Sequence, residues 1–161
     1  MWIKVCGIRD CQTARQLADL EIDAIGLNFY SRSPRFVPAD EAKSISRILP
    51  PTIARVGVFV NQALSDVEWT ASECGLSMVQ LHGDESSSYF SELHRRLPKI
   101  RLVRAWRMSE SGLGGLGVFL DECGREQVEL FGCLVDAHVA GLFGGSGKTV
   151  DWDRLNQQYE R

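Results

Sequence analysis

A chain of 161 residues, 44% hydrophobic and 24% charged with a net charge of −3, has the composition of one folded domain with a sizeable core. The acidic balance leaves no basic stripe for a nucleic-acid backbone, so no nucleic-acid partner is expected. Five cysteines (Cys6, Cys11, Cys74, Cys123, Cys133) are odd in number and scattered, unlike a zinc site or a disulfide framework, which implies no metal and reduced thiols in the cytoplasm.

The first residues, Met1 to Gly7, contain no long apolar run. The longest apolar span, 130–145, is short and interrupted by Asp136 and His138, so neither export nor membrane insertion is expected. Residues 2–5 read as a first buried strand, and Ala14, Leu17 and Ala18 then mark one face of a helix. A second strand over 24–29 precedes a helix whose apolar face is Ala42, Ile45, Ile48 and Leu49, with Pro38 and Asp40 as its start signals. The third strand, 53–60, leads to a helix bearing Leu64, Val67, Ala71 and Cys74, where Gly75 suits a left-handed C-terminal cap.

A fourth strand over 78–81 is followed by a helix with Phe90, Leu93 and Leu97 inward, and a fifth strand covers 102–106. Four glycines, Gly112, Gly114, Gly115 and Gly117, then predict a loop before a helix over 118–127. A sixth strand is expected at 131–135.

Strict alternation at about 26 residues per unit implies a mainly parallel sheet. A doubly wound sheet fits the length, whereas a closed (β/α)8 barrel at that spacing needs roughly 208 residues. The turn after the first strand, Cys6-Gly7-Ile8-Arg9, lacks the G-x-G-x-x-G of a dinucleotide fold. Polar residues instead end successive strands, namely Cys6, Asn61, His82, Arg107 and Asp136, as in a barrel that assembles its site from all its loops. The expected fold is therefore a single α/β domain over 1–161 of the (β/α)8 TIM-barrel type, with about six βα units and an incomplete C-terminal part.

Cys6 and Asp136, ending different strands, suit a base and an acid that move a proton between adjacent carbons. A thiol ordinarily ionises near ~8.5, so a base at Cys6 needs a cation beside it, and Lys4, Arg9 and Arg35 are the candidates. The planar guanidinium of Arg35, in the loop after the second strand, suits a substrate carboxylate, with Arg32 as a surface residue. His82 is either a site residue or part of the next helix cap through Asp84, and Gly83 beside it allows close approach of a ligand. The segment Gly144-Gly145-Ser146-Gly147-Lys148-Thr149 has Leu142 where a nucleotide P-loop requires glycine, so ATP or GTP binding is excluded. Such a loop, Gly145 included, still suits closure over a small substrate and contact with an anion.

Five segments taken in order, Lys4-Val5-Cys6-Gly7-Ile8; Asp23-Ala24-Ile25-Gly26 with Phe29-Tyr30 and Ser33-Pro34-Arg35; Val56-Gly57-Val58-Phe59-Val60-Asn61; Val79-Gln80-Leu81-His82-Gly83-Asp84-Glu85; and the glycine-rich segment with Asp151-Trp152, closely resemble phosphoribosylanthranilate isomerases. The resemblance implies a (β/α)8 enzyme of tryptophan biosynthesis that converts N-(5-phosphoribosyl)anthranilate to 1-(2-carboxyphenylamino)-1-deoxyribulose 5-phosphate by an Amadori rearrangement, with no cofactor. It implies Asp136 as general acid, Cys6 as general base, Arg35 on the anthranilate carboxylate, and His82 and Gly145 as substrate-binding residues.

Family members continue through two further strands whose glycine-rich turns hold the substrate phosphate, and this chain ends nine residues after Trp152. A second copy or a complementing C-terminal segment is the expected means of covering the open edges. The competing reading is an inactive, truncated barrel remnant with a structural or interaction role. A related indole-glycerol-phosphate synthase or epimerase would be expected to show a catalytic lysine or a metal cluster, and neither pattern is present.

Overall fold

The structure is a computed structural model that describes residues 1–109, 112–139, 143 and 147–159. Strands and helices alternate as β1 (Lys4–Cys6), α1 (Cys11–Ala18), β2 (Ala24–Asn28), α2 (Ala39–Ile48), β3 (Ala54–Phe59), α3 (Leu64–Glu73), β4 (Met78–Leu81), α4 (Ser87–Arg96), β5 (Arg101–Met108), α5 (Gly114–Arg125), β6 (Leu130–Ala137) and α6 (Trp152–Tyr159). The strands form one sheet in the order β1-β2-β3-β4-β5-β6, and each neighbouring pair is parallel. A doubly wound sheet reverses its strand order at a switch point. Unbroken sequential order is that of a barrel wall, and it decides between the two architectures that length and spacing leave open.

Two boundaries differ from the sequence pattern for a physical reason. β5 and β6 run beyond their apolar centres because their ladder continues through Arg107 opposite Asp136 and Met108 opposite Ala137. α5 starts at Gly114, inside the glycine-rich stretch, because packing outweighs glycine's poor helix propensity of about 1 kcal/mol. A Cβ on Gly115 would lie 3.0 Å from the Trp106 ring, so glycine lets the helix settle onto that indole. The side-chain oxygen of Gln158 accepts the Leu113 N–H at 2.7 Å, which ties α6 to the start of α5. α6 is not among the elements expected from the sequence, although Trp152, Leu155 and Tyr159 stand at helical spacing in an otherwise polar segment.

Alternation along each strand separates two faces. Ile25, Leu27, Phe59, Val79, Leu81 and Leu102 point toward the helices and pack with Ala14, Ile45, Val67, Phe90, Leu93 and Phe119 in the main core. Each fully buried Leu, Ile or Phe there contributes roughly 1.5–3 kcal/mol. The inner face carries a smaller cluster of Ala24, Val56 and Met78, with Ala54 and Val103 against it.

One ion pair lies within the helix layer. Arg104 Nη1 is 3.2 Å from Glu85 Oε2, with the two side chains 8% and 2% exposed. The Arg104 guanidinium also sits 5.0 Å from the Phe119 ring centre. Glu85 accepts the Asn61 N–H at 2.7 Å and the Gly83 N–H at 2.9 Å, tying the loops after β3 and β4 together. Asn61 Oδ1 in turn accepts the Asp84 N–H at 2.7 Å. A Cβ on Gly83 would lie 2.2 Å from Asn61 Oδ1, so the close approach that this glycine allows is to Asn61 and not to a ligand. Among the described residues, no helix is long and apolar enough to cross a membrane.

Candidate active site

Residues two apart on a strand share a face, so Lys4 and Cys6 of β1 turn inward together. So do Gly26 and Asn28 of β2, Gln80 and His82 at the end of β4, and Leu134 and Asp136 of β6. A cavity of ≈ 330 Å³ forms at the carboxyl ends of these strands, lined by Cys6, Asn28, Arg35, His82, Asp136 and Phe143 among others. Four of the five residues singled out from the sequence, Cys6, Arg35, His82 and Asp136, thus meet in one place. The fifth, Gly145, lies outside the described residues.

Glycines make the room for two of these side chains. Gly26 stands opposite Cys6 in the β1–β2 register, and a Cβ there would lie 2.6 Å from Cys6 Sγ. Gly7 has φ +91°, a conformation that favours glycine, and a Cβ on it would meet Arg35 Cδ at 2.5 Å. The stem of Arg35 therefore lies over the turn that follows Cys6.

The loop bearing Arg35 is shaped by polar contacts. Ser33 Oγ accepts the Arg35 N–H at 3.2 Å and lies 3.3 Å from Asn28 Nδ2, while Asn28 Oδ1 accepts the Tyr30 N–H at 2.9 Å. Arg9 donates to the Pro34 carbonyl at 3.0 Å and braces this loop. Of the three cations considered for Cys6, Lys4 and Arg35 line the cavity with it. Arg32 is exposed, as expected.

His82 is buried between two polar partners. Its Nδ1 lies 3.3 Å from Gln80 Nε2. Its Nε2 is 3.2 Å from Asp136 Oδ2, off the axis of a hydrogen bond. Asp136 Oδ1 accepts the Ala137 N–H at 2.9 Å. Burial pushes His82 below the usual imidazole value; Asp136 opposes this, and Arg107 and Lys4 add to it, so the ring is neutral at neutral pH. Burial likewise holds Lys4 below the usual ammonium range, with Cys6 opposing and Arg35 adding to the effect. The cap of α4 is Ser86, whose Oγ accepts the Tyr89 N–H at 3.3 Å, so His82 and Asp84 are not needed for it.

Phe143 closes one side of the mouth. Its ring meets Tyr30 edge-on at 5.9 Å and lies 4.2 Å from the Arg107 guanidinium, which is itself bonded to Asp84. Sequence reasoning singled out neither Phe143 nor Gln80. For Gln80 the available signal was period-two spacing, since it stands two residues before His82 just as Lys4 stands two before Cys6.

A parallel βα barrel wall with a thiol, a carboxylate, an imidazole and a guanidinium converging at the carboxyl ends of its strands defines an enzyme of the (β/α)8 class. The family model for N-(5'-phosphoribosyl)anthranilate (PRA) isomerase matches residues 3–161, and the chain belongs to that family. The N-(5'-phosphoribosyl)anthranilate isomerase of Acidithiobacillus ferrooxidans is 39% identical over 153 residues, covering 95% of this chain and 69% of that protein. The crystal structure of the Thermotoga maritima phosphoribosyl anthranilate isomerase superposes with a TM-score of 0.76 at 30% identity, over 96% of this chain and 70% of that one. A phosphoribosyl anthranilate isomerase in complex with reduced 1-(o-carboxyphenylamino)-1-deoxyribulose 5-phosphate superposes with a TM-score of 0.72 at 32% identity, over 86% and 66% of the two chains.

Proposed function

We propose that Asp136 and Cys6 are the acid and base of the isomerisation to which family membership assigns this chain. The chain is an isomerase of tryptophan biosynthesis acting on N-(5'-phosphoribosyl)anthranilate, and its product is 1-(2-carboxyphenylamino)-1-deoxyribulose 5-phosphate. The observation that carries the residue roles is the meeting of Asp136, from β6, and Cys6, from β1, in one cavity at the strand ends. That convergence favours the enzyme over an inactive remnant.

In this reading the Asp136 carboxyl gives its proton to the furanose ring oxygen, the C1–O bond breaks, and the substrate nitrogen lone pair forms an iminium. The Cys6 thiolate then takes the C2 proton, the electrons of the C2–H bond form the C1–C2 double bond, and the iminium π pair returns to nitrogen to give an enolamine. Tautomerisation of the enolamine yields the ketone. The substrate's own nitrogen is the electron sink, so acid–base groups suffice for the step. Arg35, held over Gly7, faces the cavity as the partner for the anthranilate carboxylate, and His82 offers a ring nitrogen to bound substrate. Gly145 is taken as a further substrate-binding residue.

β1 and β6 are the edges of the described sheet. Barrels of this class hold substrate phosphate with the loops after strands seven and eight. A complementing segment or a second copy that pairs with those edges would supply such contacts. The reading is tested by following loss of substrate fluorescence with the 161-residue chain, alone and mixed with a fragment carrying two further βα units. Weak turnover alone that rises on mixing is expected, and no turnover in either arrangement overturns the reading. In the same assay Arg35→Lys, which removes the planar fork, should raise KM about tenfold with a smaller change in kcat.

A further inference from the structure

The inner face of the sheet carries a line of polar contacts that leads to Asp136, and its first two members, Lys4 and Gln80, have no part in the isomerisation steps. Lys4 Nζ on β1 bonds Gln80 Oε1 on β4 across the barrel interior. Gln80 Nε2 lies 3.3 Å from His82 Nδ1, and His82 Nε2 lies 3.2 Å from Asp136 Oδ2 on β6. Each contact restricts the next. An ammonium group only donates, so the Gln80 atom facing Lys4 is the carbonyl oxygen, and the amide NH2 faces His82. Nδ1 must then offer its lone pair, and in the neutral ring the proton resides on Nε2.

We propose that Lys4 and Gln80 are positioning residues that hold His82 in the Nε2–H tautomer, so that its ring presents a donor to Asp136 and to bound substrate. The inference rests on the assignment of Asp136 as the acid. Once Asp136 has given up its proton, the Nε2–H steadies the carboxylate that remains. A second proton on His82 would have to sit on Nδ1, head-on to the Gln80 NH2. The charges facing the ring from the neighbouring strands are Lys4 of β1, Arg107 of β5 and Asp136 of β6; the first two oppose such a proton and the third favours it. His82 is thereby kept from competing with Asp136 as a proton donor. The otherwise unmatched, buried Nε2 has a defined role as a donor.

The test is 15N NMR of the ring nitrogens in the histidine-labelled 161-residue chain, with the His82 signal assigned by its loss in His82→Gln. The expected wild-type result is a neutral ring protonated at Nε2 at neutral pH. Lys4→Met releases the amide to turn and should populate the Nδ1–H tautomer. Gln80→Glu places an acceptor at Nδ1 and should shift His82 toward the imidazolium. Each variant should lower kcat about tenfold, the worth of one hydrogen bond to a charged group, with KM changed less than about twofold. Lys4→Arg, which keeps a donor, should restore the wild-type tautomer and part of the rate lost in Lys4→Met. A wild-type proton on Nδ1, or His82 signals unmoved in folded Lys4→Met and Gln80→Glu, overturns the proposal, and the wild-type spectrum decides it if those variants do not fold. Full turnover in Asp136→Asn would instead overturn the acid assignment and leave the tautomer result standing.

Discussion

Cys6→Ala and Asp136→Asn should each lower kcat by ~10²–10⁴-fold, the contribution of a positioned acid or base, while KM stays within a few-fold. The split follows from geometry, because neither side chain is assigned to the anthranilate carboxylate, which falls to Arg35 from a separate loop. Asp136→Asn keeps the shape of the side chain and an acceptor for the Ala137 N–H, so its loss of rate isolates the missing proton. Cys6→Ala leaves a small void against Gly26 without disturbing the β1–β2 ladder, whose hydrogen bonds are all backbone. The double variant should be no slower than about the worse single one, because acid and base serve one sequence of proton transfers. Steady-state kinetics with fluorescent substrate reads all three, and turnover in Cys6→Ala within about threefold of wild type would place the base elsewhere.

Glu85→Leu should destabilise the fold by about 3–5 kcal/mol, the largest stability effect expected of a single substitution outside the apolar core. Removing the carboxylate strands the buried Arg104 guanidinium among Phe90, Trp106 and Phe119, where little water reaches it. It also takes the acceptor from the Asn61 and Gly83 amides. Those two jobs separate in a double variant. Glu85→Leu with Arg104→Met removes the stranded charge and should recover part of the loss, leaving about 1–3 kcal/mol for the buried Gly83 amide without a partner. Urea unfolding curves measure both, with unchanged m-values showing that native compactness is retained. A Glu85→Leu variant within about 1 kcal/mol of wild type would mean that the ion pair is replaceable where it stands.

Much of this architecture is legible locally. Short apolar runs mark all six strands and one-sided spacing marks the first four helices, because burial leaves its pattern in the sequence; the fifth helix is expected only from its place after the glycine-rich stretch. Gly75 takes φ +59°, the left-handed cap read from its position after Cys74. The glycine-rich stretch was misjudged at its edge: Gly114 to Gly117 look like a loop in isolation, and only the flat face of Trp106 explains why the helix begins there. α6 is a different case: Trp152, Leu155 and Tyr159 recur at i, i+3 and i+7, a one-sided pattern too short to stand out, and its contact with α5 runs through Gln158.

By itself, then, the sequence determined the alternation of βα units, the parallel sheet, the strand-end positions of Cys6, His82 and Asp136, and the family. These follow from short-range periodicity and from ordered motifs, which need no knowledge of what lies across the sheet. The tertiary structure alone decided the sequential strand order and the partners of each inward side chain. Lys4 and Gln80 are 76 residues apart, and their meeting depends on the curvature that brings β1 over β4. Gly26 and Gly83 look alike as strand-associated glycines, yet one makes room for a thiol and the other for Asn61. Local pattern sets the face a residue takes, and only the folded sheet sets which residues share the space in front of it.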